Sequence, residues 1–214
     1  NPSNIINKIT IVEGWSKSQL NKDLKYYFKN PKTIKYDEII AETYFINSHQ
    51  SFNDFKIKLV NFKNKYFTEN IDNNLLNEFT IKEIFILGSL IEKEGIDYQD
   101  KRKIFSVLIN RLNKNMKLQI DATVIYALTD GKFDLNRKLT YKDLKIKHRF
   151  NTYYIKGLPP EPISYVGLKT IELIFENYKK NYLFYFYNSI EKKHIFSVNY
   201  EDHLKNLNEY RSKK

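Results

Sequence analysis

The sequence predicts an α+β protein: a small N-terminal strand–helix module, then a larger, mainly helical domain with a C-terminal β-hairpin. Three observations lead there. Residues 5–12, Ile-Ile-Asn-Lys-Ile-Thr-Ile-Val, have the β-branched content of a strand. From about 52 to 178, apolar residues recur at helical spacing behind capping residues. Residues 182–187 and 194–198 are two aromatic-rich runs either side of a turn at 189–192, which reads as a hairpin.

The elements follow in order. Glu13-Gly14 turns the chain out of the first strand, and Ser16 caps a helix to about Phe28, ended by Pro31. Residues 34–50 read as irregular, 52–66 as a helix rich in lysine and aromatic residues, and Asn-rich 70–74 as a linker-like break. Thr80-Ile81-Lys82-Glu83 is a capping box, and Gly95 offers a left-handed stop, so a helix is expected over about 81–94. Asp97 caps a second helix through Leu112, with Ile104, Val107, Leu108 and Leu112 inward. Asp121 reads as the N-cap of a short helix at 123–128, and Thr140 opens another helical turn. Residues 148–163, with three prolines and Gly157, form a stiffened loop. Helices over 165–178 and 200–211 complete the chain, which divides into 1–50 and 51–214.

At 42% hydrophobic residues, with 17 Tyr and 15 Phe, the chain of 214 residues can build a sizeable core and is not a disordered protein. There is no cysteine, so disulfides and thiolate metal sites are excluded. His49, His148, His194 and His203 match no metal-ligand spacing, and no phosphate-binding glycine loop or nucleophile elbow occurs, so neither metal nor cofactor is expected. The net charge of +11 suits an anionic partner: nucleic acid, acidic lipid or a cell-wall polymer. The lysines are spread along the chain and no basic recognition helix is present, which argues against nucleic acid. No apolar run has the length of a membrane span. The chain begins Asn-Pro rather than with Met, as expected of the soluble part of a longer protein whose membrane anchor lies in a missing N-terminal segment.

Glu92 is the candidate for chemistry. At about 100° per residue, Ile81, Ile84, Phe85, Gly88 and Ile91 share one face of the 81–94 helix, and Glu92 projects between Phe85 and Gly88 on that face. An acid in an apolar stripe loses hydration and holds its proton, as a general acid must, and the small Gly88 can open a cleft beside it. The alternative is a Glu that is exposed or paired with Lys or Arg. Glu94 projects elsewhere, about 160° from Glu92, and is set aside on that ground.

The ordered motifs resemble those of the endolytic murein transglycosylases, the YceG-like (MltG) family. They are Ile-Thr-Ile-Val-Glu-Gly-Trp at 9–15, Gly-Ser-Leu-Ile-Glu-Lys-Glu at 88–94 and Val-Leu-Ile-Asn-Arg-Leu at 107–112. Met-Lys-Leu-Gln-Ile-Asp-Ala-Thr-Val-Ile-Tyr at 116–126, Asn-Thr-Tyr at 151–153 and Gly-Leu-Pro-Pro at 157–160 follow, with Phe196 and His203 in the hairpin region. Ile120, Ala122 and Glu161 depart from the usual pattern, as does the stretch around Glu42.

The resemblance implies a partial LysM-like module and connector at 1–50 and a YceG-like catalytic domain at 51–214. It implies a peptidoglycan lyase that cuts between N-acetylmuramic acid and N-acetylglucosamine without water, leaving 1,6-anhydro ends, with Glu92 as acid and base. Asn110, Gln119, Asn151 and Tyr153 are the expected substrate-binding residues, with a buried structural network as their other reading. Arg111 is expected in a salt bridge, Tyr126 and Tyr154 in packing, and Asp121 in a cap rather than at the reaction centre. Glycan strands are the implied partner, peptidoglycan synthases a further one, and the outer, periplasmic face of the cytoplasmic membrane the implied location. The rival functions are a non-catalytic peptidoglycan-binding scaffold and a hydrolytic muramidase, which needs a second carboxylate.

Overall fold

A computed structural model describes residues 6–213. Strand β1 (Ile6–Thr10) pairs antiparallel with β2 (Thr43–Asn47), Ile9 opposite Tyr44. Ile5, the predicted strand start, lies outside the described residues. β2 falls in the stretch expected to be irregular. Its Thr-Tyr-Phe-Ile-Asn alternates buried Tyr44 and Ile46 with exposed Phe45 and Asn47, but five residues are too few for the period to stand out. Between the strands, α1 (Lys17–Leu24) starts at a Ser16–Gln19 capping box and buries Leu20 and Leu24.

The rest of the chain is mainly helical: α2 (Phe52–Glu69), α3 (Leu75–Glu78), α4 (Ile81–Glu94), α5 (Tyr98–Asn113), α6 (Asp121–Thr129), α7 (Tyr141–Leu144) and α8 (Leu168–Phe175). The hairpin β3 (Phe184–Asn188) and β4 (Lys193–Ser197) follows, with Tyr187 opposite His194, and α9 (Tyr200–Ser212) packs on it. Among the described residues no helix is long and apolar enough to cross a membrane.

One hydrophobic cluster runs from the N-terminal strands to α8, from Ile9, Leu20 and Ile40 to Phe85, Ile91, Ile104 and Ile174. Helix α4 is its centre, packed on α5, α6 and α8, and residues 84–91 are all buried. Gly88 permits this. A Cβ there would stand 2.5 Å from Val166 Cγ1, so the chain segment at 163–167 lies directly on the helix and leaves no cleft beside Gly88.

That same segment stitches the N-terminal module to the helices. Gly14 N–H donates to the Tyr165 carbonyl at 2.8 Å, Tyr165 N–H to Trp15 at 3.0 Å, and Ala41 N–H to Val166 at 2.7 Å. Gly95 ends α4 in an extended conformation (φ −80°, ψ 143°), not the left-handed one expected. Its missing side chain leaves room for Lys101, whose Cγ lies 2.2 Å from where a Cβ would be.

Candidate active site

Two acids two residues apart at the end of α4 face different surroundings. Glu92 reaches under the start of α8: Gly167 N–H donates to its Oε1 at 3.1 Å, and Lys101 Nζ holds its Oε2 at 2.5 Å. Its side chain is 2% exposed, and Lys101 also reaches Thr170 Oγ1 at 3.4 Å. Both carboxylate oxygens are thus taken by protein donors. This corrects the helix-phase expectation of an acid open to a cleft. Glu92 adjoins a cavity of about 430 Å³ with Thr10, Glu13, Glu42 and Asp97 on its walls, yet its oxygens point to Lys101 and Gly167. The paired alternative is the one the fold adopts.

Glu94, on the other side of α4, lines a cleft of about 490 Å³ formed with α5, α6, the hairpin and α9. Tyr185 Oη donates to Glu94 Oε2 at 3.0 Å. Burial pushes the Glu94 carboxyl above its ordinary value of 4.5; the nearby Asp121 pushes the same way, against Tyr185, His194 and the Ala122 amide. The cleft is rich in aromatic rings, with Phe184, Phe186, Tyr187 and Tyr200 around its polar groups. Flat apolar faces beside a few fixed donors suit a sugar chain, whose rings present C–H faces and hydroxyl edges.

Two of the expected binding residues lie in this cleft. Tyr153 donates its hydroxyl to Asp121 Oδ1 at 2.6 Å, and burial raises the phenol well above its ordinary range. Gln119 is exposed there in a left-handed conformation (φ 54°), pinned by its N–H to the Thr152 carbonyl at 3.1 Å. Asp121 lines the cleft as the first residue of α6, and the cap position belongs to Ile120, so Asp121 is not the N-cap expected of it.

The other two are structural. Asn110 donates to the carbonyls of Lys180 at 2.6 Å and Tyr182 at 2.8 Å, anchoring the approach to β3. Asn151 is fully buried and donates to the Leu144 and Ile146 carbonyls at 2.9 and 2.8 Å. Their amide donors are spent on the backbone, which the sequence cannot show because the partners lie in other segments.

Arg111, buried at 6% exposure, donates to carbonyls rather than to a carboxylate: Nε to Leu183 at 2.7 Å and a terminal nitrogen to Leu118 at 2.8 Å. It joins the hairpin to the 118–119 turn and carries its charge into the cleft wall. Tyr126 packs in the core against Phe150 and near Tyr36.

Helical phase does not separate Glu92 from Glu94, because residues 84–91 are buried all round and no single stripe marks one face. What completes the site is Tyr185, ninety-one residues away. Among the described residues no group of His, Asp and Glu could hold a metal ion.

Known proteins share this sequence and fold. The family model described as the YceG-like family matches residues 2–209. An endolytic murein transglycosylase of Bacillus subtilis is 36% identical over 138 residues, 64% of this chain and 37% of the relative. One from Streptococcus pneumoniae is 34% identical over 134 residues, 61% of this chain and 24% of the relative. The matched stretch therefore spans less than two fifths of the length of either relative. The crystal structure of a yceG-like protein from Listeria monocytogenes superposes with a TM-score of 0.74 at 27% identity, over 92% of this chain and 75% of that one. With the family model covering nearly the whole sequence, the chain belongs to the YceG-like family.

Proposed function

We propose that this chain is the catalytic part of an endolytic peptidoglycan lytic transglycosylase, with Glu94 as its acid and base. The observation that carries the reading is the half-buried Glu94 carboxyl, held by Tyr185 in an aromatic-lined cleft and inclined to keep its proton. The names of the relatives supply the reaction class. Its setting follows the family resemblance: the outer face of the cytoplasmic membrane, beside peptidoglycan synthases.

The chemistry needs one carboxyl group. Glu94 gives its proton to the glycosidic oxygen as the bond from C1 of N-acetylmuramic acid breaks, releasing the N-acetylglucosamine side as an alcohol. The carboxylate then takes the proton of the muramic C6 hydroxyl as O6 closes on C1. The product is a 1,6-anhydro end, no water is consumed, and Glu94 regains its proton. Gln119 and the Asp121–Tyr153 pair offer polar contacts to the sugars across the cleft.

A second reading, hydrolysis, is favoured by one observation: Asp121 is a second carboxylate in the same cleft. Mass spectrometry of uncrosslinked glycan strands after digestion separates the two. Internal fragments ending in anhydro-muramic acid, one water lighter than hydrolytic ends, are expected from the native chain and from folded Glu92→Gln, and none from Glu94→Gln. Reducing ends point to hydrolysis with Asp121. Activity in Glu94→Gln together with loss in folded Glu92→Gln returns the acid role to Glu92. Binding without cleavage by every form leaves a scaffold.

A further inference from the structure

The reading of Glu94 leaves without a role a buried acid–base pair of which one member, His194, lines the cleft. His194 of β4 places Nδ1 2.8 Å from Asp100 Oδ2, and the two side chains are 7% and 10% exposed. Asp100 stands in the first turn of α5, and its Oδ2 also accepts the Ile96 N–H at 3.0 Å, two residues past Glu94. One carboxylate thus ties the α4–α5 corner to the hairpin. The His194 ring meets Tyr185 edge-on at 5.3 Å, and Tyr185 is the donor to Glu94. With Nδ1 committed to Asp100, Nε2 is the ring nitrogen left for the cleft that His194 lines.

We propose that Asp100 and His194 act as a positioning pair for the reaction. Asp100 holds the His194 ring in the cleft wall, where its imidazolium form steadies the Glu94 carboxylate that proton donation leaves behind. The inference rests on Glu94 being the acid.

The other charged and titratable groups around Glu94 do not fill this role. From α6, Asp121 repels a second carboxylate. From α5, Arg111 is turned to carbonyls of the hairpin and the 118–119 turn. From α9, His203 is pushed down by burial and by Arg111, stacks on Phe184, and has a buried Nδ1 with no hydrogen-bond partner, so it stays neutral. Burial pushes the phenols of Tyr153, from the loop after α7, and Tyr185, from the hairpin, well above their ordinary range, so neither supplies a charge. His194 is the group in the cleft wall that couples a carboxylate partner to a place beside Glu94. A single carboxyl that must give and then retake a proton benefits from a fixed counter-charge.

The test is kcat and KM on purified glycan strands across pH, for the native chain, Asp100→Asn and His194→Gln. Asn keeps an oxygen for the Ile96 amide and His194 and removes only the charge, so the fold is preserved. The alkaline limb of kcat/KM reports protonated Glu94 in the free enzyme. Loss of a neighbouring positive charge moves that limb to higher pH, by about one unit in both variants, with kcat down about tenfold and KM little changed. In parallel, ring nitrogen NMR of the folded native chain and Asp100→Asn should show the hydrogen bond at His194 Nδ1 weakening in the variant. A limb that stays in place in folded variants, or an Nδ1 signal unchanged by Asp100→Asn, overturns the pair's role and leaves Glu94 as the acid. A native chain that does not cut, or a Glu94→Gln that does, overturns the underlying reading instead.

Discussion

Two glutamates on one helix differ in what their charge does to the fold. Glu92 is an anion clamped between Lys101 and the Gly167 amide, whereas Glu94 is an acid that burial favours in its neutral form. Glu92→Gln strands Lys101, whose side chain is 17% exposed, and should cost about 3–5 kcal/mol in urea unfolding at neutral pH. Glu94→Gln should act oppositely. The Glu94 value is raised in the folded state, so its contribution is complete below 4.5 and is lost as pH rises through the folded value. A Gln at 94 does not titrate. Its Tm relative to the native chain should therefore climb as pH rises from 4.5 through the folded value. A flat difference in Tm would contradict the upward shift of the Glu94 carboxyl.

At the level of elements, the site depends on two close approaches. The segment at 163–167 lies against α4 because residue 88 is glycine. Gly88→Ala should cost about 1–3 kcal/mol through the clash with Val166, and Val166→Ala in the same chain should return part of it. Chemical denaturation of the single and double variants measures that coupling. The second approach is that of the hairpin, anchored by Asn110 and Arg111 to backbone carbonyls at 180–183. Asn110→Ala removes two of those anchors and should cost about 1–3 kcal/mol. Amide exchange should quicken in β3 and β4 before α4, and turnover should fall because Tyr185 loosens from Glu94, although Asn110 itself lies outside the cleft.

Across the whole molecule, a charge of +11 suits the proposed substrate, a strand that carries carboxylates on its lactyl and peptide groups. KM for such strands should rise severalfold as salt increases from about 50 to 500 mM, while KM for uncharged chitin-type oligomers should stay nearly constant. An equal salt response in both would place the effect elsewhere than in long-range attraction. Much of this molecule is legible locally. The capping box at Thr80, the caps at Ser16 and Asp97, the helical turn opened by Thr140, the hairpin around 189–192 and the terminal helix follow from neighbours within a few residues, and the fold keeps them. Composition excluded thiolate chemistry, and the ordered motifs carried the family. The short β2, the end of α4 and the choice between Glu92 and Glu94 were set by partners far along the chain: β1, Lys101 folded over Gly95, Gly167 and Tyr185. Helical phase reports a face only where one side of a helix is buried. Helix α4 is buried on every side, so its periodicity could not tell an acid gripped by an ion pair from an acid left facing a cleft. That difference arises only when β3 and α8 close on opposite sides of the same helix end.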